Sequence, residues 1–281
     1  MAYLNIENVS KYFPNHDGRG DVCIMRGVNL AIEQGEFVTM VGHSGCGKST
    51  LLNMIAGLET ASTGALELEG KKIKGPGMDR MVVFQNFSLM PWMTVYENIQ
   101  IAVRSAYRDW SRDQVDAHVS RYIAMVGLSG QEKKRPTALS GGMRQRVGLA
   151  RAFALNPKVL LLDEPFAQID ALTRGVIQDE LVRMWMDTRN TVFMVTHDVD
   201  EALLMSDKVA LMSSGPNAQL AEILEVNLPR PRSRETTVLT PEYRWMRKHI
   251  IDFLVDRSRK IQEQAAASIL VGGAVPDPVL T

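Results

Sequence analysis

Apolar and polar positions alternate along residues 2–41, in YLNIENV, GVNLAI and EFVTMVG, with turn residues between them. A period of two puts successive side chains on opposite faces and predicts short strands. TGALELEGKKI (63–73) and MVVFQ (81–85) continue the pattern, separated by glycine turns. From Thr94 to Leu155 the period lengthens. TVYENIQIAVRSAY, DQVDAHVSRYIAMVGL and GMRQRVGLARAFAL space their apolar residues as helices do, so a helical insertion over about 88–157 is expected. KVLLLDEP (158–165) is then a continuous apolar run ending in acids, as in a strand buried on both faces. IQDELVRMWMDT reads as a helix and NTVFMVTHD as the next parallel strand. Alternating strand and helix predicts an α/β fold, a sheet covered by helices.

NLPRPRSRE (227–235) reads as a linker, its prolines barring a continuous helix and its arginines keeping it solvated. Beyond it Tyr243, Met246, Ile250, Phe253 and Leu254 fall on one stripe of an amphipathic helix. That helix is expected to pack on its own domain or on a dimer mate, with a separate regulatory role as the alternative. GGAVPDPVLT (272–281) reads as a loose tail. The expected division is one domain over 1–235 and a helical extension with its tail over 236–281.

Composition narrows the function. Thirty-two basic residues balance thirty-two acidic ones, so no overall field draws nucleic acid or acidic lipid. MAYLNIENVS lacks the marks of a secretory signal, and no apolar run approaches the roughly 20 residues that span a bilayer. Cys23 and Cys46, in no paired spacing, suit a reducing compartment. The expectation is a cytosolic chain whose membrane business is done through a partner.

Two glycine-rich helix starts carry the chemistry. Gly42–Ser49, in GHSGCGKST (42–50), matches G-x-x-x-x-G-K-[ST] between a strand and a helix. Its glycines let backbone N–H groups face phosphates, Lys48 would reach the β- and γ-phosphates, and Ser49 would hold Mg²⁺. Asp163, at the end of VLLLDE, can hold the same Mg²⁺ shell. Glu164 would point the other way if strand geometry persists, placed to polarise a water as general base. The second start is LSGGMRQRV (139–147), where Ser140, Gly141 and Gly142 open a helix. Alone it reads as a helix cap, and one nucleotide needs only one cradle.

The phosphate loop, Gln85 after an apolar strand, LSGGM, LLLDEP and His197 in VTHD stand in the order seen in ATP-binding cassette (ABC) ATPases, a family this chain resembles from about Ile6 to Arg234. The resemblance implies a P-loop NTPase fold with a RecA-like core, an N-terminal antiparallel β subdomain and a helical subdomain. It also implies two cassettes paired head to tail, each ATP lying between one chain's loop (Gly42, His43, Ser44, Gly45, Cys46, Gly47, Lys48, Ser49, Thr50) and the other chain's Ser140, Gly141 and Gly142. By the same likeness Gln85 is the lid glutamine touching Mg²⁺ and the attacking water. His197 is the switch histidine on the γ-phosphate, and Asp170 reaches across the dimer. AQID at 167–170 departs from the family's GALD, and Gln168 is expected to alter that coupling. Phe13 stands where the family stacks an aromatic on adenine, with Tyr12 its rival.

FSLMPWMTVYENI (87–99) puts Phe87, Leu89, Met90, Trp92 and Met93 just after Gln85. They are either local core or a groove receiving a helix of a membrane permease. Several segments, LMPWMTVYENI and EVNLPRPRSR among them, resemble the ATPase subunits of nitrate importers. Bicarbonate and cyanate subunits share most of these, sulfonate or taurine ones fewer. The implied partners are transmembrane permease subunits, a second cassette (a second copy or a close relative) and, indirectly, a periplasmic or lipid-anchored solute-binding protein, at the cytoplasmic face of the membrane. Two other readings are weaker. A clamp on nucleic acid or ribosomes would need a second cassette or a coiled coil in the chain, and basic surface. A regulatory subunit that barely hydrolyses ATP fits AQID but not Glu164 and His197.

Overall fold

The computed structural model describes residues 2–15 and 20–271, with side chains as far as Asp256, so the tail at 272–281 lies outside the described residues. Strands β1 (Leu4–Pro14), β2 (Asp21–Ile32) and β3 (Phe37–Val41) lead into α1 (Lys48–Ala56). β4 (Thr63–Leu68), β5 (Lys71–Lys72) and β6 (Arg80–Val83) precede three helices, α2 (Val95–Ala106), α3 (Arg112–Met125) and α4 (Gly141–Phe153). Then come β7 (Val159–Asp163), α5 (Ala171–Thr188), β8 (Thr191–Thr196), α6 (Val199–Met205), β9 (Lys208–Met212), β10 (Leu220–Glu225) and α7 (Pro241–Val271).

The strands form two sheets. β2-β1-β4-β5 is antiparallel throughout. The second has the order β10-β9-β3-β8-β7-β6, parallel except for β10 at its edge. Its central strands are buried on both faces and distribute their side chains alternately. Leu160, Leu162, Val192 and Met194 pack against the helical side with α4 and α5. Val159, Leu161, Phe193 and Val195 pack against α1 and the antiparallel sheet. The helical insertion is locally specified: Thr94 with Glu97 and Ser111 with Gln114 form capping boxes at the starts of α2 and α3.

α7 packs on its own domain. Tyr243, Met246 and Ile250 are buried against α6, β9 and the end of β3, and Phe253 and Leu254 lie against the same cluster. The stretch before it is not the solvated linker its composition suggests. Arg232 donates to the carbonyls of Leu203, Ser206 and Val226 at 2.8, 2.6 and 3.0 Å, and burial pulls its pKa down to about 10. Arg230 donates to Met205 O and Asp207 and stacks 4.5 Å from the Trp185 ring centroid. The last carbonyls of α6 lack helical donors, and these guanidinium groups supply them.

Candidate active site

β3 runs directly into the loop at 42–47, and α1 starts without a side-chain cap: Gly47 holds the cap position at φ 91° with no side-chain hydrogen bond. A Cβ there would lie 2.6 Å from Met25 Cε and 2.8 Å from Ile24 Cγ2, so β2 backs the loop closely. Lys48 is buried, and its Nζ donates to Gly42 O (2.8 Å) and His43 O (2.9 Å), bridging the base of its own loop. Cys46 turns its thiol into the core, where burial raises its pKa. It therefore offers the loop a backbone amide rather than a reactive sulfur.

Ser49 Oγ donates to Asp163 Oδ1 at 2.8 Å, joining the start of α1 to the end of β7. Burial raises the Asp163 pKa and the Glu164 charge adds to it, against the Ser49 hydrogen bond and Lys48. A hydroxyl and a half-buried carboxylate that a positive charge would stabilise are hard oxygen donors suited to Mg²⁺. Among the described residues no cluster of three or more His, Cys, Asp or Glu could hold a metal. A cation here would complete its shell with phosphate and water oxygens.

Strand alternation does not place Glu164. β7 stops at Asp163, and Glu164 adopts φ 45°, a left-handed conformation uncommon outside glycine, its N–H fixed to Val195 O at 2.9 Å. Its carboxylate then lies 3.5 Å from Nδ1 of His197, which follows β8 and is exposed. Glu164, Thr196, His197 and Glu201 border a small cavity of about 90 Å³.

The second glycine helix start stands apart. Ser140 caps α4, its Oγ accepting from Met143 N at 3.2 Å. A Cβ on Gly141 would be 3.0 Å from Gln168 O, and one on Gly142 would be 2.6 Å from Thr173 Cγ2. Ser140–Gly142 thus lies against the AQID turn and α5, whose cap is Asp170. Hydrogen bonding from Thr173 N (2.9 Å) holds the Asp170 carboxyl below its usual pKa. The Gln168 side chain is exposed.

Gln85 is exposed in a turn two residues beyond β6. Phe13 is half-buried on β1, paired with Val22, with Lys11 Nζ 4.7 Å from its ring centroid; Tyr12 beside it is also half-buried. The five apolar residues after Gln85 do not form one exposed groove. Phe87 is buried, Leu89 packs against the core on the helical side of the sheet, and Trp92 is 65 % exposed. Phe87 and Ser88 both have positive φ, and Arg151 from α4 donates to the carbonyls of both. Sequence reasoning also missed Glu201, buried behind the His197 turn. A glutamate in the first turn of a helix ordinarily reads as a solvated partner of the helix dipole.

The chain is similar to known proteins. The family model described as "ABC transporter" matches residues 25–167. The chain is 50 % identical over 257 residues to the bicarbonate transport ATP-binding protein CmpC of Synechococcus elongatus, covering 92 % of this chain and 39 % of that protein. It therefore spans about two-fifths of the length of such relatives. It is 46 % identical over 256 residues to the nitrate import ATP-binding protein NrtD of the same species, covering 91 % of this chain and 93 % of NrtD. Among solved structures, the dimeric post-hydrolysis state of the ATP-binding cassette MJ0796 bound to ADP and Pi aligns with a TM-score of 0.70 and 29 % identity, over 80 % of this chain and 99 % of that one.

Proposed function

The chain belongs to the ABC transporter ATP-binding family, and from that premise we propose that it hydrolyses ATP to power a membrane importer of a small inorganic anion, nitrate in our first reading. Among the described residues no helix is long and apolar enough to cross a membrane, so permease subunits would supply the path. The observation that carries the reading is the Ser49–Asp163 hydrogen bond beside an uncapped α1, with Glu164 and His197 within reach of each other.

The proposed mechanism uses two copies of the chain. The amides of the 42–50 loop and Lys48 bind the phosphates of one ATP, and Ser140, Gly141 and Gly142 of the other copy cover its γ-phosphate. Ser49, Asp163 and Gln85 would hold Mg²⁺, which when bound neutralises phosphate charge. Glu164 takes a proton from a water as its oxygen attacks the γ-phosphorus and the bond to the ADP oxygen breaks. His197 steadies Glu164 and the departing charge, Asp170 reaches across the pair, and Phe13 stacks on adenine. Because the γ-phosphate joins the two copies, its loss lets them separate. The exposed Gln85 turn and Trp92 face the permease and carry this motion to it. A solute-binding protein would deliver the anion outside, and the chain would sit at the cytoplasmic face. The boundary near residue 235 separates this machinery from the C-terminal extension.

Bicarbonate is the second reading, favoured by the 50 % identity to CmpC. Uptake of labelled nitrate and bicarbonate, in source cells carrying the native or Glu164→Gln chain, tests both. Loss of nitrate uptake alone supports the first reading, and loss of bicarbonate uptake alone replaces it with the second. Neither changing would remove both.

A further inference from the structure

One hydrogen-bond chain fastens the turn bearing His197 on both sides. Asp198 N–H donates to Thr196 Oγ1 (3.1 Å), and the Thr196 hydroxyl donates to Glu201 Oε2 (2.6 Å). Glu201 Oε1 accepts from Gln178 Nε2 of α5 (2.8 Å), and Gln178 Oε1 accepts from Arg234 Nη2. Thr196 and Asp198 are the immediate neighbours of His197. The middle of the chain is dry, with Thr196, Gln178 and Glu201 no more than 5 % exposed. Arg234 is seated closely, since a Cβ on Gly175 would approach its Nε to 3.2 Å.

α7 holds the same turn from the other side. The Tyr243 hydroxyl and Arg247 Nε both donate to Asp200 Oδ1, at 2.6 and 2.7 Å. Asp198, which caps α6 through the amides of Asp200 and Glu201, lies 4.0 Å from Arg174. Residues 234–247 therefore reach the turn through two separate polar contacts. Burying a carboxylate is unfavourable unless hydrogen bonds satisfy it, and a satisfied buried network specifies one geometry. Here that geometry is the one that brings His197 Nδ1 to 3.5 Å from Glu164.

We propose that Arg234, Gln178 and Glu201 are positioning residues for His197, through which the segment leading into α7 sets the alignment of the switch histidine with Glu164. This rests on the reading of His197 as the γ-phosphate contact. The C-terminal extension thereby gains a role in hydrolysis, since a partner or conformational change that shifts residues 234–247 alters the rate without touching nucleotide.

The test is steady-state MgATP hydrolysis by the full chain, with native-like melting required of each variant. Arg234→Met is expected to lower kcat about tenfold while KM for ATP stays within about twofold, and Arg234→Lys to recover part of the loss. In a His197→Ala background, Arg234→Met is expected to add nothing further, because both changes act through one group. If Arg234→Met does not fold, Tyr243→Phe releases one contact while keeping the packing, and a fall in kcat at constant KM is again expected. Unchanged kcat in these variants, with His197→Ala slowed but still measurable, would overturn the proposal alone. Full additivity with His197→Ala would do the same. A fully active His197→Ala would remove the premise and the proposal with it.

Discussion

The two glycine-bearing helix starts, at α1 and at α4, use similar residues and end in opposite states. α1 begins after Gly47 with no side-chain cap, its loop held by Lys48 and its first turn tied to Asp163 through Ser49. α4 begins after Ser140, whose hydroxyl already satisfies the Met143 amide, and rests on Gln168 and Thr173. Orphan amides at a helix start need an acceptor, from a side chain or from a ligand. The first start is built around what it lacks. The second has its cap within its own chain. In the function proposed above, one chain with both would be half of two sites.

Substitutions can break this contrast. The largest effect is expected from Glu164→Gln, which leaves both starts intact but removes the proposed base: phosphate release falls about 10²–10⁴-fold while ATP still binds, measured by turnover and by nucleotide titration. Lys48→Ala empties only the first start. Hydrolysis should fall roughly 10²–10³-fold, with ATP binding weakened in the same titration, unlike Glu164→Gln. Retained binding would mean that Lys48 merely braces its loop.

A third prediction concerns the buried acid behind the first site. Burial raises Glu201 from its ordinary 4.5 to about 7, with the Thr196 hydrogen bond opposing. The folded chain thus keeps a proton that the unfolded chain releases between these values. The contribution of this group to stability is greatest below pH 4.5, falls as pH rises toward 7 and stays level above, a change of about 3 kcal/mol at most. Denaturant midpoints at pH 5 and pH 8 should therefore differ less in Glu201→Gln than in the native chain. Equal differences would place the titration elsewhere. The smallest effect belongs to the second start: Ser140→Ala removes a cap worth about 1 kcal/mol and lowers Tm by roughly 2–4 °C. Binding of ATP to the single chain should not change.

What could be read from the sequence follows from how local each feature is. The glycine loop between β3 and α1 is written in spacing alone, and the apolar run VLLLD reads as the strand buried on both faces that it is. Glu164 could not be placed, because alternation fails within one residue when the backbone turns to φ 45° and ties its N–H to Val195, a contact 31 residues away. Arg230 and Arg232 looked solvated beside prolines, yet the unmet carbonyls closing α6 draw both inward. Phe87 looked available to a partner, but it lies buried in its own chain, at the first of two left-handed residues in succession. Glu201 and Arg234 gave no signal, since their partner Gln178 sits on a different element.

The central claim, that each start completes a site with the other copy, is tested most directly by solution mass. The Glu164→Gln chain should weigh 31.3 kDa with ADP and twice that with MgATP, because the unhydrolysed γ-phosphate holds two copies together. Adding Ser140→Arg, exposed at the cap of α4, should abolish the doubling while ATP still binds. A chain that stays at its single mass when saturated with MgATP would contradict the account.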